Sequence, residues 1–226
     1  MRPGPSLSLA AAGILGGIVL ASIFGAIAIA VSGEDDGPAL LAAGFLGLWI
    51  PLVGAAVIAS TAFGSGSVKR DLGFAFEPAD ILRGIAVGIV GLVAASAVQL
   101  ALSPFPDLTG TNTNYIDDQA GTLVGAVIVV FSTMIGAPIV EELFFRGLLQ
   151  RSLFRLGIGA AFVQAAIFGF IHITPEEGLG NVGIMLGVGT FGLVLGLAAR
   201  RFGRLGPTIV GHAVFNAAAV IPLLLK

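Results

Sequence analysis

Hydrophobic positions in this chain do not alternate with polar ones; they run unbroken for long stretches. Seven such runs are Leu7–Val31, Ala39–Phe63, Ile81–Ser103, Ala120–Phe145, Ile158–Ile173, Val182–Ala199 and Gly206–Leu225. Most approach the roughly 20 residues that a helix needs to cross a bilayer core. Lipid offers no partner for loose backbone groups, so only helices or closed barrels span it. A barrel would show alternating residues in segments of about ten. The pattern therefore predicts an all-α, polytopic transmembrane bundle of about seven to eight helices with seven crossings. One integral membrane domain over residues 1–226 is the simplest organisation. The fourth run continues past Arg146 towards Arg155, either as one long helix or as a span with an amphipathic extension. That extension, or the surroundings of Pro78–Arg83, supplies the eighth helix. Leu7–Val31 follows Arg2 as a signal peptide would, but it exceeds the usual apolar core of about 7–15 residues and reads as a helix.

Composition agrees with a membrane protein. Only 11% of the 226 residues are charged, against about 25% in soluble domains, and the mean hydropathy is +1.03. The connections alternate in sign. Glu34, Asp35 and Asp36 fall in the first, Lys69, Arg70 and Arg83 among three acids in the second, and Asp107, Asp117 and Asp118 in the third. Then follow Arg146, Arg151 and Arg155, next Glu176 and Glu177, and last Arg200, Arg201 and Arg204. Basic connections mark the cytoplasmic side. With Arg2 inside, all agree with a cytoplasmic amino terminus and an outer carboxyl terminus, and Lys226 alone dissents. Arg151, Arg155, Arg200, Arg201 and Arg204 are then expected to act as topology and headgroup anchors. Gly64–Arg83 reads as a cytoplasmic loop, partly laid on the membrane surface by Phe74, Phe76 and Ile81. The formal charge of −2 argues against a nucleic-acid partner. The absence of cysteine excludes disulfides, a thiol nucleophile and a cysteine metal site.

Against this background a few polar groups stand out. Glu141, Glu142, His172 and His212 fall within the oily last third, and the chain has 2 histidines in all. Ionisable groups at membrane depth are costly and are functional candidates by default. Glu142 and Arg146 are spaced i,i+4, the favourable order for an acid–base pair. Glu141 has no base at that spacing, and burial makes such a carboxylate a better general base. Pro138 can kink the helix just upstream. A hairpin turning near Leu156–Gly157 puts Glu141 and His172 each about 15 residues from the turn, or about 23 Å along its helix. Carboxylate and imidazole could then flank one water molecule. His212 and Asn216 share a helix face at i,i+4 and offer donors for an oxyanion. His172 lies close to the acidic, outer turn and His212 nearer the basic, inner one; if Arg146–Arg155 projects beyond the membrane, the groups meet at mid-depth in a site open to the cytoplasm.

Glu-Glu-x-x-x-Arg at Glu141–Arg146, Phe-x-x-x-His at Phe168–His172 and His-x-x-x-Asn at His212–Asn216 together resemble the CPBP family. These are the CAAX proteases and bacteriocin-processing (Abi) proteins, related to the Ras-converting CAAX endopeptidase. The motifs occur in the family's order over Ala120–Leu225, about half the chain. The resemblance implies an intramembrane glutamic endopeptidase of about eight helices. It also implies that Glu141 and His172 activate water, that His212 and Asn216 form the oxyanion site, and that Glu142 and Arg146 support them. The amino-terminal half carries nothing that matches.

Other readings of the same residues stay open. A non-catalytic scaffold or immunity factor would keep the family's shape, and a proton-coupled transporter would use Glu141 and His172 as a relay. No cofactor is expected. Zinc on Glu141, His172 and His212 is the minority alternative, because His-Glu-x-x-His is absent and the donors come from three helices. The expected partners are a protein or peptide substrate at the membrane and the bilayer itself. Short loops without cysteine suit a prokaryotic plasma membrane. Phe144, Phe145, Phe168 and Phe215 read as packing residues.

Overall fold

A computed structural model describes residues 3–33, 37–111, 113 and 122–225. Eight helices account for most of them. α1 is Pro3–Ser32 and α2 is Pro38–Phe63. α3 is the single turn and a half Val68–Leu72, and α4 is Asp80–Leu102. α5 runs from Leu123 to Ser152, α6 is Gly159–Phe170, α7 is Asn181–Phe202 and α8 is Gly206–Leu224. The all-α polytopic bundle expected from the hydrophobic runs is the fold.

The seven runs each carry the chain from one end of the bundle to the other, but not all by a helix of full spanning length. Among the described residues six helices, α1, α2, α4, α5, α7 and α8, are long and apolar enough to span a membrane. The run Ile158–Ile173 yields a helix of only 12 residues. At about 1.5 Å per residue it covers about 18 Å of a hydrocarbon core of about 30 Å. The fourth run is one continuous helix, and the eighth helix is α3, upstream of Pro78–Arg83. Of the residues that fixed the expected topology, Arg2, Glu34, Asp35, Asp36, Asp117, Asp118 and Lys226 lie outside the described residues.

α5 is the axis of the bundle. Its second half, from Leu143 to Leu149, is buried on every side. α1 packs along α2 as a hairpin against it, while α4 pairs with α8 and α7 with both α4 and α6. Small residues permit these close approaches, as in other membrane bundles. Gly84 and Gly88 of α4, for example, face Val210 and Val214 of α8.

All the connections rich in Lys and Arg gather at one end, and side chains tie them together. Asp80 is fully buried there and accepts from Arg204 Nε at 2.9 Å and Nη2 at 2.8 Å, and from Arg83 Nη1 at 3.2 Å. Arg204 Nη2 also donates to Glu77 at 2.7 Å. The Asp80 and Glu77 carboxylates hold the Arg204 guanidinium even more firmly protonated than usual. Gly203 ends α7 at φ 69°, a left-handed conformation that glycine adopts without a Cβ penalty. Its carbonyl accepts from Arg151 at 2.9 Å, and Arg200 caps the Gly157 carbonyl at 2.8 Å. Backbone bonds from Leu205 to Gly73 and from Gly206 to Ala75 close the end. Arg151, Arg200 and Arg204 thus also tie neighbouring segments together. Arg155, Arg200 and Arg201 are exposed. Phe74, Phe76 and Ile81 are exposed as well, at the place expected to meet the membrane surface.

Candidate active site

The local architecture of α5 begins with Pro138. In a regular helix the Thr133 carbonyl would accept from Ala137. Here the helix widens over Ser132–Gly136, and the Ala137 N–H bonds instead to the Ser132 carbonyl. In that wider register the next donor would be residue 138, and proline has none. Asn216 of α8 fills the gap, its Nδ2 donating to Thr133 O at 2.6 Å. A second widened stretch, Glu142–Leu149, follows. Helix widenings of this kind recur at functional sites, and Glu141 lies between the two.

Glu142 and Arg146 form the expected pair, Nη1 to Oε1 at 2.8 Å, with both side chains fully buried. The same Glu142 oxygen contacts His212 Nδ1 at 3.0 Å. A carboxylate can only accept, so His212 carries its proton on Nδ1 there and turns Nε2 the other way. Phe168 and Phe191 stand edge-on to the His212 ring, with centroids 5.9 and 5.4 Å away. The Arg146 guanidinium lies over Phe168 at 4.4 Å.

Glu141 occupies the other side of His212. Its Oε2 is 3.9 Å from His212 Nε2 and 3.9 Å from His172 Nε2. That oxygen is buried and receives no hydrogen bond from the described residues. His172 Nδ1 is 2.6 Å from the Phe168 carbonyl, which again can only accept, so the basic Nε2 faces Glu141. Both gaps exceed a hydrogen bond, and a water seated beside them, off the line between the two groups, reaches both.

Two buried amides, Gln150 and Gln164, and two glycines of α7 hold this arrangement, and the sequence alone did not single them out. Arg146 Nη2 donates to the Gly192 carbonyl at 3.1 Å, and Gln150 Nε2, one turn on, donates to the Gly196 carbonyl at 2.9 Å. Gln164 of α6 also reaches the Gly192 carbonyl, at 2.9 Å. The approach leaves no room for side chains on α7. A Cβ at position 196 would lie 2.5 Å from Gln164 Nε2 and 2.8 Å from Gln150 Oε1. Gln150 and Gln164 look like ordinary polar helix residues in the sequence. Only their position among apolar neighbours hinted otherwise.

Glu141, His172, His212 and Asn216 line one cavity of about 280 Å³. It has room for several waters at roughly 30 Å³ each, or for a short peptide segment. Its remaining walls are largely apolar, with Phe45 and Leu48 from α2, Val188 and Phe191 from α7, and Phe215 and Val220 from α8. The cavity runs to Thr113, Ile173 and Thr174, in the connections opposite the basic end. The expected opening towards the basic end is thus reversed. Beneath the site on the basic side lie Phe144, Phe145, Leu148, Leu149, Leu72 and Leu205, all buried. Among the described residues no three His, Asp or Glu side chains are placed to share a metal ion.

The fold and these contacts define a polytopic helical membrane protein with a buried carboxylate–imidazole site. Residues 123–218 match the family described as type II CAAX prenyl endopeptidase, Rce1-like. The resemblance carried by the three motifs is thereby borne out over α5, α6, α7 and most of α8. This is a protease family, and the match supports a membrane-embedded peptidase. No curated protein and no solved structure matches the chain.

Proposed function

We propose that the chain is an intramembrane endopeptidase that hydrolyses a peptide bond of a membrane-associated or lipidated protein or peptide, using a water activated by Glu141. The observation that carries this reading is the placement of Glu141 Oε2, buried and 3.9 Å from two imidazole Nε2 atoms. A water between Glu141 and His172 donates one hydrogen to each and turns its lone pairs to the substrate carbonyl. Glu141 takes the proton as oxygen attacks carbon, and the carbonyl becomes a tetrahedral oxyanion. His212, with a carboxylate on either side, and the Asn216 amide N–H that Thr133 does not use stabilise that oxyanion. When the C–N bond breaks, the proton on Glu141 passes to the leaving amine. Glu142 and Arg146 do not touch substrate; they fix the tautomer and angle of His212. No metal enters this scheme, and activity should survive exhaustive chelation.

The segregation of bases at one end supports a cytoplasmic amino terminus and an outer carboxyl terminus, in a plasma membrane of prokaryotic type. Comparative peptidomics of membranes holding wild type or Glu141→Gln tests the function. Uncleaved precursors should accumulate with the variant at unchanged protein level. Unchanged peptide profiles would end the proposal.

A further inference from the structure

We infer that the site is loaded from the extracytoplasmic side, so that its substrate is a peptide segment displayed outside the cytoplasm rather than a cytoplasmic tail. What the cavity does to that segment rests on the peptidase reading above; the direction of its opening does not.

Two independent features converge. The first is the shape of the site. From Glu141 the cavity runs past Asn216 and Val220 of α8 and Phe45 of α2 to Thr113 and Thr174. Thr113 follows α4, and Thr174 joins α6 to α7, so both stand at the end where α4 and α6 finish and α7 begins. Among the described residues, none of the basic connections 64–79, 153–158 or 203–205 lines it. In that direction stand the buried Glu142–Arg146 pair and the apolar layer from Phe144 to Leu149. A peptide approaching from the basic end would have to break that pair and the closure made by Asp80 and Arg204.

The second feature is charge. The basic end carries Lys69, Arg70, Arg83, Arg151, Arg155, Arg200, Arg201 and Arg204. The connections at the mouth carry Asp107, Glu176 and Glu177, and the sequence of those connections holds no Lys or Arg. Lys and Arg in short connections are retained in the cytoplasm. The sealed end is therefore the cytoplasmic one and the mouth faces out. The inner wall, with His212 on Glu142, then serves as a floor against cytoplasmic water. Asn181 steadies the rim, since its side chain both accepts from the Thr174 N–H at 2.8 Å and donates to the Thr174 carbonyl at 2.6 Å.

The chain has no cysteine, so single cysteines report the direction without a background to remove. Thr113→Cys and Thr174→Cys mark the mouth, and Arg155→Cys and Arg201→Cys mark the sealed end. Intact cells are treated with a membrane-impermeant maleimide and compared with permeabilised cells. The mouth cysteines should reach their full labelling in intact cells, and the other two should label only after permeabilisation. The reverse pattern overturns the inference, as does labelling of the mouth positions only after permeabilisation. Precursors that accumulate with Glu141→Gln should then have their cleavage sites outside the cytoplasm, and cleavage sites confined to cytoplasmic tails would overturn the inference as well. Outward labelling together with unchanged peptide profiles would leave the direction standing and remove the peptidase reading alone.

Discussion

Asn216 donates its side-chain amide to the backbone carbonyl of Thr133 at 2.6 Å, across 83 residues of sequence. That carbonyl is free because the Ala137 N–H has gone to Ser132 and because residue 138 is proline. The bond welds α8 to α5 one turn from His212 and two turns from Glu141. It leaves Asn216 one amide hydrogen for the cavity.

Removing this amide should leave a carbonyl unpaired at membrane depth, at a cost of about 1–3 kcal/mol. Pro138→Ala restores a backbone N–H that the Thr133 carbonyl can use. We therefore predict that Asn216→Ala destabilises the protein less when Pro138→Ala is also present. Thermal unfolding of the four proteins in detergent measures the coupling. Additivity within about 0.5 kcal/mol would show that the two residues do not share this carbonyl.

Arg146 serves three partners at once: Glu142, the Gly192 carbonyl and the face of Phe168. Arg146→Met should cost about 3–5 kcal/mol, since it strands a buried carboxylate. Arg146→Lys should recover little of this, because an ammonium group cannot make the planar, forked contact. A lysine variant as stable as wild type would contradict the threefold role. The comparison needs only unfolding curves.

The crowding at α7 separates two kinds of glycine. Gly196→Ala would press a methyl against Gln150 and Gln164 and should cost about 1–3 kcal/mol. Gly54→Ala in α2 meets nothing within 4 Å and should be neutral or stabilising by up to about 1 kcal/mol. Equal effects at the two sites would argue against close contact between α7 and the two amides.

Outside the membrane, Asp71 gives a pH signature. Burial would raise its carboxyl, but hydrogen bonds from Ser60 and Ser65 outweigh this and hold it below the ordinary range. A carboxylate depressed in the fold contributes stability above its unfolded value of about 3.9. That contribution fades as pH falls through the lower, folded value. Melting temperatures of detergent-solubilised wild type should therefore drop more steeply below about pH 4 than those of Asp71→Asn. Parallel acid limbs would remove the claim.

Much of the fold was legible because membrane helices advertise themselves by composition over a whole span. The Glu142–Arg146 pair was legible because i,i+4 contacts are local. What escaped was long-range or depended on helix ends. Nothing in the sequence ties Glu142 to His212, 70 residues away, or marks Thr133 as the partner of Asn216. The run Ile158–Ile173 is apolar throughout, yet its helix stops at Phe170, as the chain turns towards Thr174-Pro175. Hydropathy sees the apolar character of Ile171 and Ile173 and not the turn. The opening of the cavity is hidden for the same reason: its depth depends on a helix shorter than its hydrophobic run.

That shortness bears on the surrounding lipid. Phe162, Phe170 and Ile158 of α6 and its ends are exposed, so acyl chains pack against a rod some 12 Å shorter than the unperturbed hydrocarbon layer. Lipid meets such a mismatch by thinning, at a fraction of a kcal/mol per Å. One leaflet should dimple beside α6 and carry headgroups and water inward there. The protein would then deform its solvent to bring a hydrolytic reaction and an oily environment within a few ångströms of each other.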